Sequence, residues 1–310
     1  MMKKLYNITA LTAVFLFCAI TGNSQTALFL NINPDAQAMG MANTGTTMSA
    51  NAFSFWNNGA NTVFSGRTLD IAASYGKWQP EVSGNNIMAL AGYGKLSENI
   101  ALTAGFKYFT HKSYDISDAT GNLQGTFTPK EFSAGVGLAV KILPFLSASV
   151  NAGYLSSDIG GPKKAGAFAA DIGLLFHLQY LNIGLTASNL GSKIDYGGSG
   201  KYSLPANLRL GAGVSRTYAG KHKVSANLQG ELLLKESAFS AGIGAEYMYN
   251  NLIAVRGGYH YGDKQKTIPG YGSAGAGIRL AGIQLDAAYL FAGSGSPLKN
   301  TFFLSLGWGF

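Results

Sequence analysis

Residues able to do chemistry are sparse in this chain. Only 12% of its 310 residues are Asp, Glu, Lys or Arg, against 47% hydrophobic and 42 glycines. The four histidines, His111, His177, His222 and His260, have no second histidine at a zinc-holding spacing, and His111 and His222 fall in connections. No arrangement points to a nucleophile and its base. The "GYGSAG" at 270–275 fits G-x-G-x-x-G but follows a loop and opens a strand, so it lacks the helix that would meet a phosphate. No catalytic residue, metal site or cofactor is expected. What remains is a set of charges on one face of alternating segments: Asp70, Lys107, Asp171, His177, Arg209, Glu231, Glu246, Arg256, His260, Arg279 and Asp286. Arg256, Arg279 and Asp286 lie on three successive segments. Such charges could form a polar step in a transport path, or pair with one another and with whatever fills the space they face. Pairing is favoured, because an unpaired charge away from water is costly.

The elements that must position them alternate with period two. Ile100, Leu102, Ala104, Phe106 and Tyr108 interleave with smaller or more polar residues, and 146–154, 181–188, 224–231, 239–247 and 283–291 repeat the texture. The apolar series often ends in an aromatic residue, as at Tyr75, Tyr93, Tyr108, Tyr154 and Phe291. A soluble barrel or secreted sandwich would carry more charge on its exposed face. Lipid outside, lumen inside and aromatic girdles at the interfaces fit better. Open strand edges cannot be satisfied in a bilayer, so the sheet must close.

Fourteen strands are predicted. The first seven span 68–76, 86–94, 99–110, 130–142, 146–155, 166–179 and 181–190. The rest span 205–217, 222–234, 238–249, 252–262, 271–280, 282–292 and 301–310. Tight connections ("KLSEN", "LPF", "YAGK", "NN", "AG") alternate with longer polar ones, as short periplasmic turns alternate with outer loops. An even count puts both barrel ends in the periplasm. The chain closes on "TFFLSLGWGF", whose Phe302, Leu304, Leu306, Trp308 and Phe310 should face lipid. Trp308 and the terminal Phe310 resemble the signal read by the barrel-assembly machinery.

The first 24 residues read as a secretory signal peptide, with Lys3 and Lys4, an apolar run from Leu5 to about Ile20, and Gly22 and Ser24 before a cut at Gln25. Bulky Phe17 argues against a lipoprotein at Cys18, and the chain's one cysteine leaves with the leader. The net charge of +8, two units of it in the leader, is spread without a basic run, so nucleic acid is not an expected partner. Three parts follow: leader 1–24, an N-terminal plug or periplasmic segment 25–65, and an outer-membrane barrel 66–310.

The middle part loses the alternation. "FLNINPDAQAMGMANTGTTMSANAFSFWNNGANTVF" is rich in small residues, and Asn33-Pro34-Asp35 reads as a turn or helix cap. A barrel this wide needs filling or conducts. Residues 29 to about 62 are expected to enter or cap its periplasmic half. This stretch resembles the N-terminal signature of the PorV/PorQ family, relatives of the FadL-type transporters. Pro34, Asp35, Ala36, Met39, Gly40, Trp56 and Asn57 match that signature. Gln37 stands where the family usually has arginine, and Asn58-Gly59 replaces a proline.

The resemblance implies a FadL-like outer-membrane barrel of Bacteroidetes type that works with type IX secretion. Its partners would be the translocon, a sortase and cargo C-terminal domains. A FadL-like passive transporter of hydrophobic molecules and a purely structural barrel stand as alternatives. Apolar residues in loop 111–130 (Tyr114, Ile116, Leu123, Phe127) and loop 191–206 (Ile194, Tyr196, Tyr202, Leu204) could anchor a partner or fold over the mouth as a lid.

Overall fold

The computed structural model describes residues 26–310 apart from 82, 119, 161, 162, 199, 264 and 265, so the leader and Cys18 lie outside the described residues. Sixteen strands follow in chain order. They are β1 (Leu69–Trp78), β2 (Asn85–Ser97), β3 (Ile100–Thr110), β4 (Tyr114–Ser117), β5 (Leu123–Phe127), β6 (Lys130–Leu143), β7 (Leu146–Asp158) and β8 (Ala165–His177). Then come β9 (Leu181–Gly191), β10 (Asn207–Tyr218), β11 (His222–Leu233), β12 (Ala238–Tyr249), β13 (Ile253–Gly262), β14 (Tyr271–Leu280), β15 (Ile283–Phe291) and β16 (Phe302–Gly309). All but β4 and β5 form one closed antiparallel barrel of fourteen strands. Among the described residues no helix is long and apolar enough to cross a membrane; the chain crosses with strands.

Pairing β1 with β16 closes the ring, from Asp70 opposite Gly309 to Lys77 opposite Phe302. The Phe310 N–H donates to the Leu69 carbonyl at 3.0 Å, and the Phe310 carbonyl accepts from Thr68 and Leu69. The seam therefore has no open edge. Alternation sorts side chains by face. In β16, Leu304, Leu306 and Trp308 are exposed on the outer wall and Phe310 follows them there, whereas Phe303 is fully buried inside. Between its two ends the outer wall is apolar, which suits hydrocarbon and not water.

Three expectations need correcting. Tyr93 is not a girdle residue. The odd positions of β2 point inward, and Tyr93 is buried with its hydroxyl 2.6 Å from Ser65. The flanking Gly92 and Gly94 carry no side chain that could reveal the phase. The 111–130 connection is also more than a loop, because β4 and β5 pair into a hairpin of their own. In addition, His222 begins β11 and is not a turn residue.

Residues 26–65 lie inside the ring and run its whole height, further than the half expected. At the long-loop end, the Thr26 N–H donates to the Ser203 carbonyl at 3.2 Å. At the short-turn end, Val63 packs with Ala101 and Ala139 before the chain enters β1. The extra reach comes from apolar residues: Phe29 stacks on Phe109 with ring centroids 6.1 Å apart, in a core that includes Trp78, Leu155 and Phe303.

Candidate functional site

The lumen-filling segment folds around its asparagines. Pro34 precedes Asp35, which caps the one-turn helix Ala36–Gly40 by accepting the Gln37 N–H at 2.9 Å. The other Asp35 oxygen accepts from Asn51 at 2.8 Å and from Asn57 at 2.7 Å. The Asn33 amide reaches both Asn43 and Asn57 at 2.7 Å. All of these side chains are buried, so each bond replaces one that water would otherwise supply. Asp35 and Asn57 thus meet in one knot, which Pro34 and Ala36 flank in the chain, whereas Gly40 lies against Gly275 and Ser273 of the wall. Trp56 gives its carbonyl to Arg209 at 2.8 Å, and its ring lies under the Lys107 ammonium at 5.2 Å.

The wall is shaped to accept this segment. A Cβ on Gly105 or Gly135 would come within 2.6 or 2.8 Å of the Phe55 ring, and one on Gly40 within 3.1 Å of the Gly275 Cα. Glycines on the inner face therefore let the filling segment approach the strands closely.

Two ionic groups fix it at different heights. Toward the turns, Arg256 donates to Glu246 at 2.6 Å and to Asp286 at 2.7 Å, and Arg279 donates to the same Asp286 oxygen at 2.9 Å. Arg256, Arg279 and Asp286 therefore meet, with Glu246 as a fourth member. Gln37 touches both signs, donating to Glu246 at 3.1 Å and accepting from Arg279 at 3.4 Å. Its amide links the filling segment to the cluster without adding charge. Further out, Lys107 is buried and donates to the carbonyls of Ile32 (2.8 Å) and Leu30 (3.1 Å). Asp171 sits at a break in the β8–β9 ladder and accepts the Asn189 N–H at 2.7 Å; the Asn189 amide in turn holds Asn31 at 2.8 Å. Sequence reasoning placed Lys107 and Arg209 among inner-face charges expected to pair with one another and with the filling segment, without naming the atoms they meet. The asparagine spacing from 31 to 61 was the overlooked signal.

Little space remains. The lumen void at the turn end measures about 200 Å³ and is lined by Gln37, Met48, His177, Asn182 and Glu246. Those beside Trp56 and Phe55 measure about 30 and 40 Å³, room for a water or so. Among the described residues no group of His, Cys, Asp or Glu could hold a metal ion. His111 bonds Glu131 at 3.1 Å, His177 bonds Asn182 at 2.8 Å, and His260 stacks on Tyr271.

At the loop end the two connections divide. Ile194, Tyr196 and Leu204 are buried, Ile194 and Tyr202 bridge one another, and the Tyr196 hydroxyl meets Ser157 at 2.8 Å and Thr26 at 3.0 Å. That loop is a lid over the filling segment. On the β4–β5 hairpin, in contrast, Tyr114, Ile116 and Leu123 are exposed (46%, 45% and 63%). The turn between its strands is tied by Asp118, held below the usual carboxylate range by bonds from the Thr120 hydroxyl and the Asn122 N–H. Trp308 and Phe310 stand on the outer wall at the turn end, rings 5.1 Å apart.

A closed fourteen-strand ring filled by its own N-terminal segment defines a FadL-like outer-membrane β-barrel. The solved Pseudomonas putida toluene transporter TodX superposes with a TM-score of 0.61 at 11% identity, over 93% of this chain and 98% of that one. A Pseudomonas aeruginosa FadL homologue gives 0.57 at 11% identity (93% and 99%), and the CymD monoaromatic hydrocarbon channel 0.58 at 10% (88% and 96%). These likenesses establish the fold. The family profile described as "Type IX secretion system protein PorV" matches residues 19–238, and the chain belongs to that family. No curated protein matches it.

Proposed function

We propose that this barrel assists type IX secretion at the cell surface, receiving a cargo's C-terminal β-domain and presenting it for attachment. The observation that carries the reading is the division between a filled lumen and an uncovered outer hairpin. A conduit for hydrophobic molecules needs a pocket, and pockets that take drug-sized ligands measure about 300–1,000 Å³. The apolar outer half of this lumen is instead occupied by Phe29 and its neighbours under a lid. Tyr114, Ile116 and Leu123, exposed beyond the membrane, offer a partner the apolar anchors that protein interfaces use. Membership of the PorV family supports the same role.

The FadL-like transport reading is favoured by one feature, the apolar lining of the outer half. It requires residues 26–32 to leave. A deletion strain separates the two readings. Loss of type IX cargo from the surface with normal uptake of hydrophobic compounds is expected. Normal cargo with impaired uptake would replace the proposal with the transport reading.

A further inference from the structure

The outer wall carries a second feature at the turn end. Arg216 projects outward from β10, two residues beyond the lipid-facing Val214, and stands opposite Val224 of β11. Its guanidinium lies 5.2 Å from the ring centroids of both Tyr180 and Tyr218. Tyr180 is held in place because its carbonyl accepts the Ser215 N–H at 3.1 Å. Around the wall the row continues with His222, 2.8 Å from the Tyr247 hydroxyl and packed 5.3 Å from the Tyr249 ring. Lys221 adds an exposed cation in the neighbouring turn.

Among the described residues Arg216 has no acidic partner and no hydrogen bond from its guanidinium; its contacts are the two rings. Two lysines at the other end of the molecule sit beside carboxylates instead. Lys163 lies 3.7 Å from Asp195, and Lys164 lies 3.2 Å from Asp158. A guanidinium whose faces rest on aromatic rings keeps its N–H edges free and pre-aimed, and that fork matches phosphate oxygens. The depth is also specific. Short turns mark the periplasmic side of such barrels, so the row lies where the hydrocarbon gives way to the headgroups of the inner leaflet.

We propose that the girdle around Arg216 is a binding site for the phosphate of an anionic phospholipid in the inner leaflet of the outer membrane. Arg216 makes the phosphate contact, Tyr180 and Tyr218 hold its plane, and Lys221 supplies added positive potential. This does not depend on the role proposed in secretion.

The test is native mass spectrometry of the full-length purified barrel offered equal amounts of phosphatidylglycerol and phosphatidylcholine. The wild type should retain phosphatidylglycerol in preference. Arg216→Gln should lose the preference, Arg216→Lys should keep part of it, and Lys163→Gln should keep all of it. If Arg216→Gln does not assemble, Tyr180→Leu/Tyr218→Leu serves instead and should weaken the preference. Inorganic phosphate is the remaining probe, and it should leave the wild type's thermal midpoint unmoved while phosphatidylglycerol raises it. Equal retention of both lipids by the wild type, undiminished preference in Arg216→Gln, or an equal shift with inorganic phosphate would overturn the proposal.

Discussion

The two ends of the lumen hold the same segment by different forces. Toward the turns, Arg256, Arg279, Glu246, Asp286 and the Asp35 knot fix it through directional bonds between buried polar groups. Toward the loops, Phe29 packs among Phe109, Trp78, Leu155 and Phe303, where area and shape count more than direction. Directional bonds set a unique register but fail badly when one member is lost. Apolar packing tolerates a change of shape by partial collapse. The turn end should therefore be the brittle one.

The largest effect is expected from Arg256→Ala, which leaves Glu246 and Asp286 buried with reduced compensation. Removing one partner of such a group costs about 3–5 kcal/mol, and a fall in the heat-modifiable, folded fraction should report it. Phe29→Ala should cost somewhat less, about 3 kcal/mol. It should loosen the loop end alone, giving faster protease cutting near residue 30 with an intact barrel. Equal brittleness of the two ends would break the comparison.

Asp35→Ala strips acceptors from Asn51 and Asn57 and should cost about 1–3 kcal/mol. Its readout is amide exchange within 33–57, with little change in the strands. Gly135→Ala presses a methyl onto the Phe55 ring and should cost about 1–3 kcal/mol, visible as a lower unfolding midpoint. The smallest effect is expected at the outer hairpin. Asp118→Ala should leave the unfolding midpoint unchanged while disordering the 118–124 turn. Because the folded Asp118 carboxyl sits below its ordinary value of 3.8, its support for the turn is complete above that pH. It should fade as the pH falls through the lowered value, which amide chemical shifts of Thr120 and Asn122 would follow.

Strands were the most legible part of the sequence, since their period-two alternation reports two unlike environments. The expected β12 span, 238–249, is the observed one. Tyr93 was misplaced because glycines on both sides hide the phase of that strand. The β4–β5 hairpin escaped because both its faces are largely exposed and show little contrast. Arg256, Arg279, Asp286 and Glu246 could be assigned to one face from strand phase alone, whereas pairing Glu246 with Arg256 required the register of β12 on β13, and the link through Gln37 required the placement of the filling segment. How far the N-terminal segment climbs was not readable. That depends on Phe29 finding Phe109, Trp78, Leu155 and Phe303 at the loop end, a match of shapes between residues distant in sequence.

The N-terminal segment packs inside the lumen from end to end, and the proposed role in secretion needs no conduit through it. Single-channel recording of the purified barrel in a planar bilayer tests this most directly. The wild type should show no steady conductance, and deletion of residues 26–64 from a barrel that still assembles should open a stable channel. Steady conductance through the wild type would contradict the account.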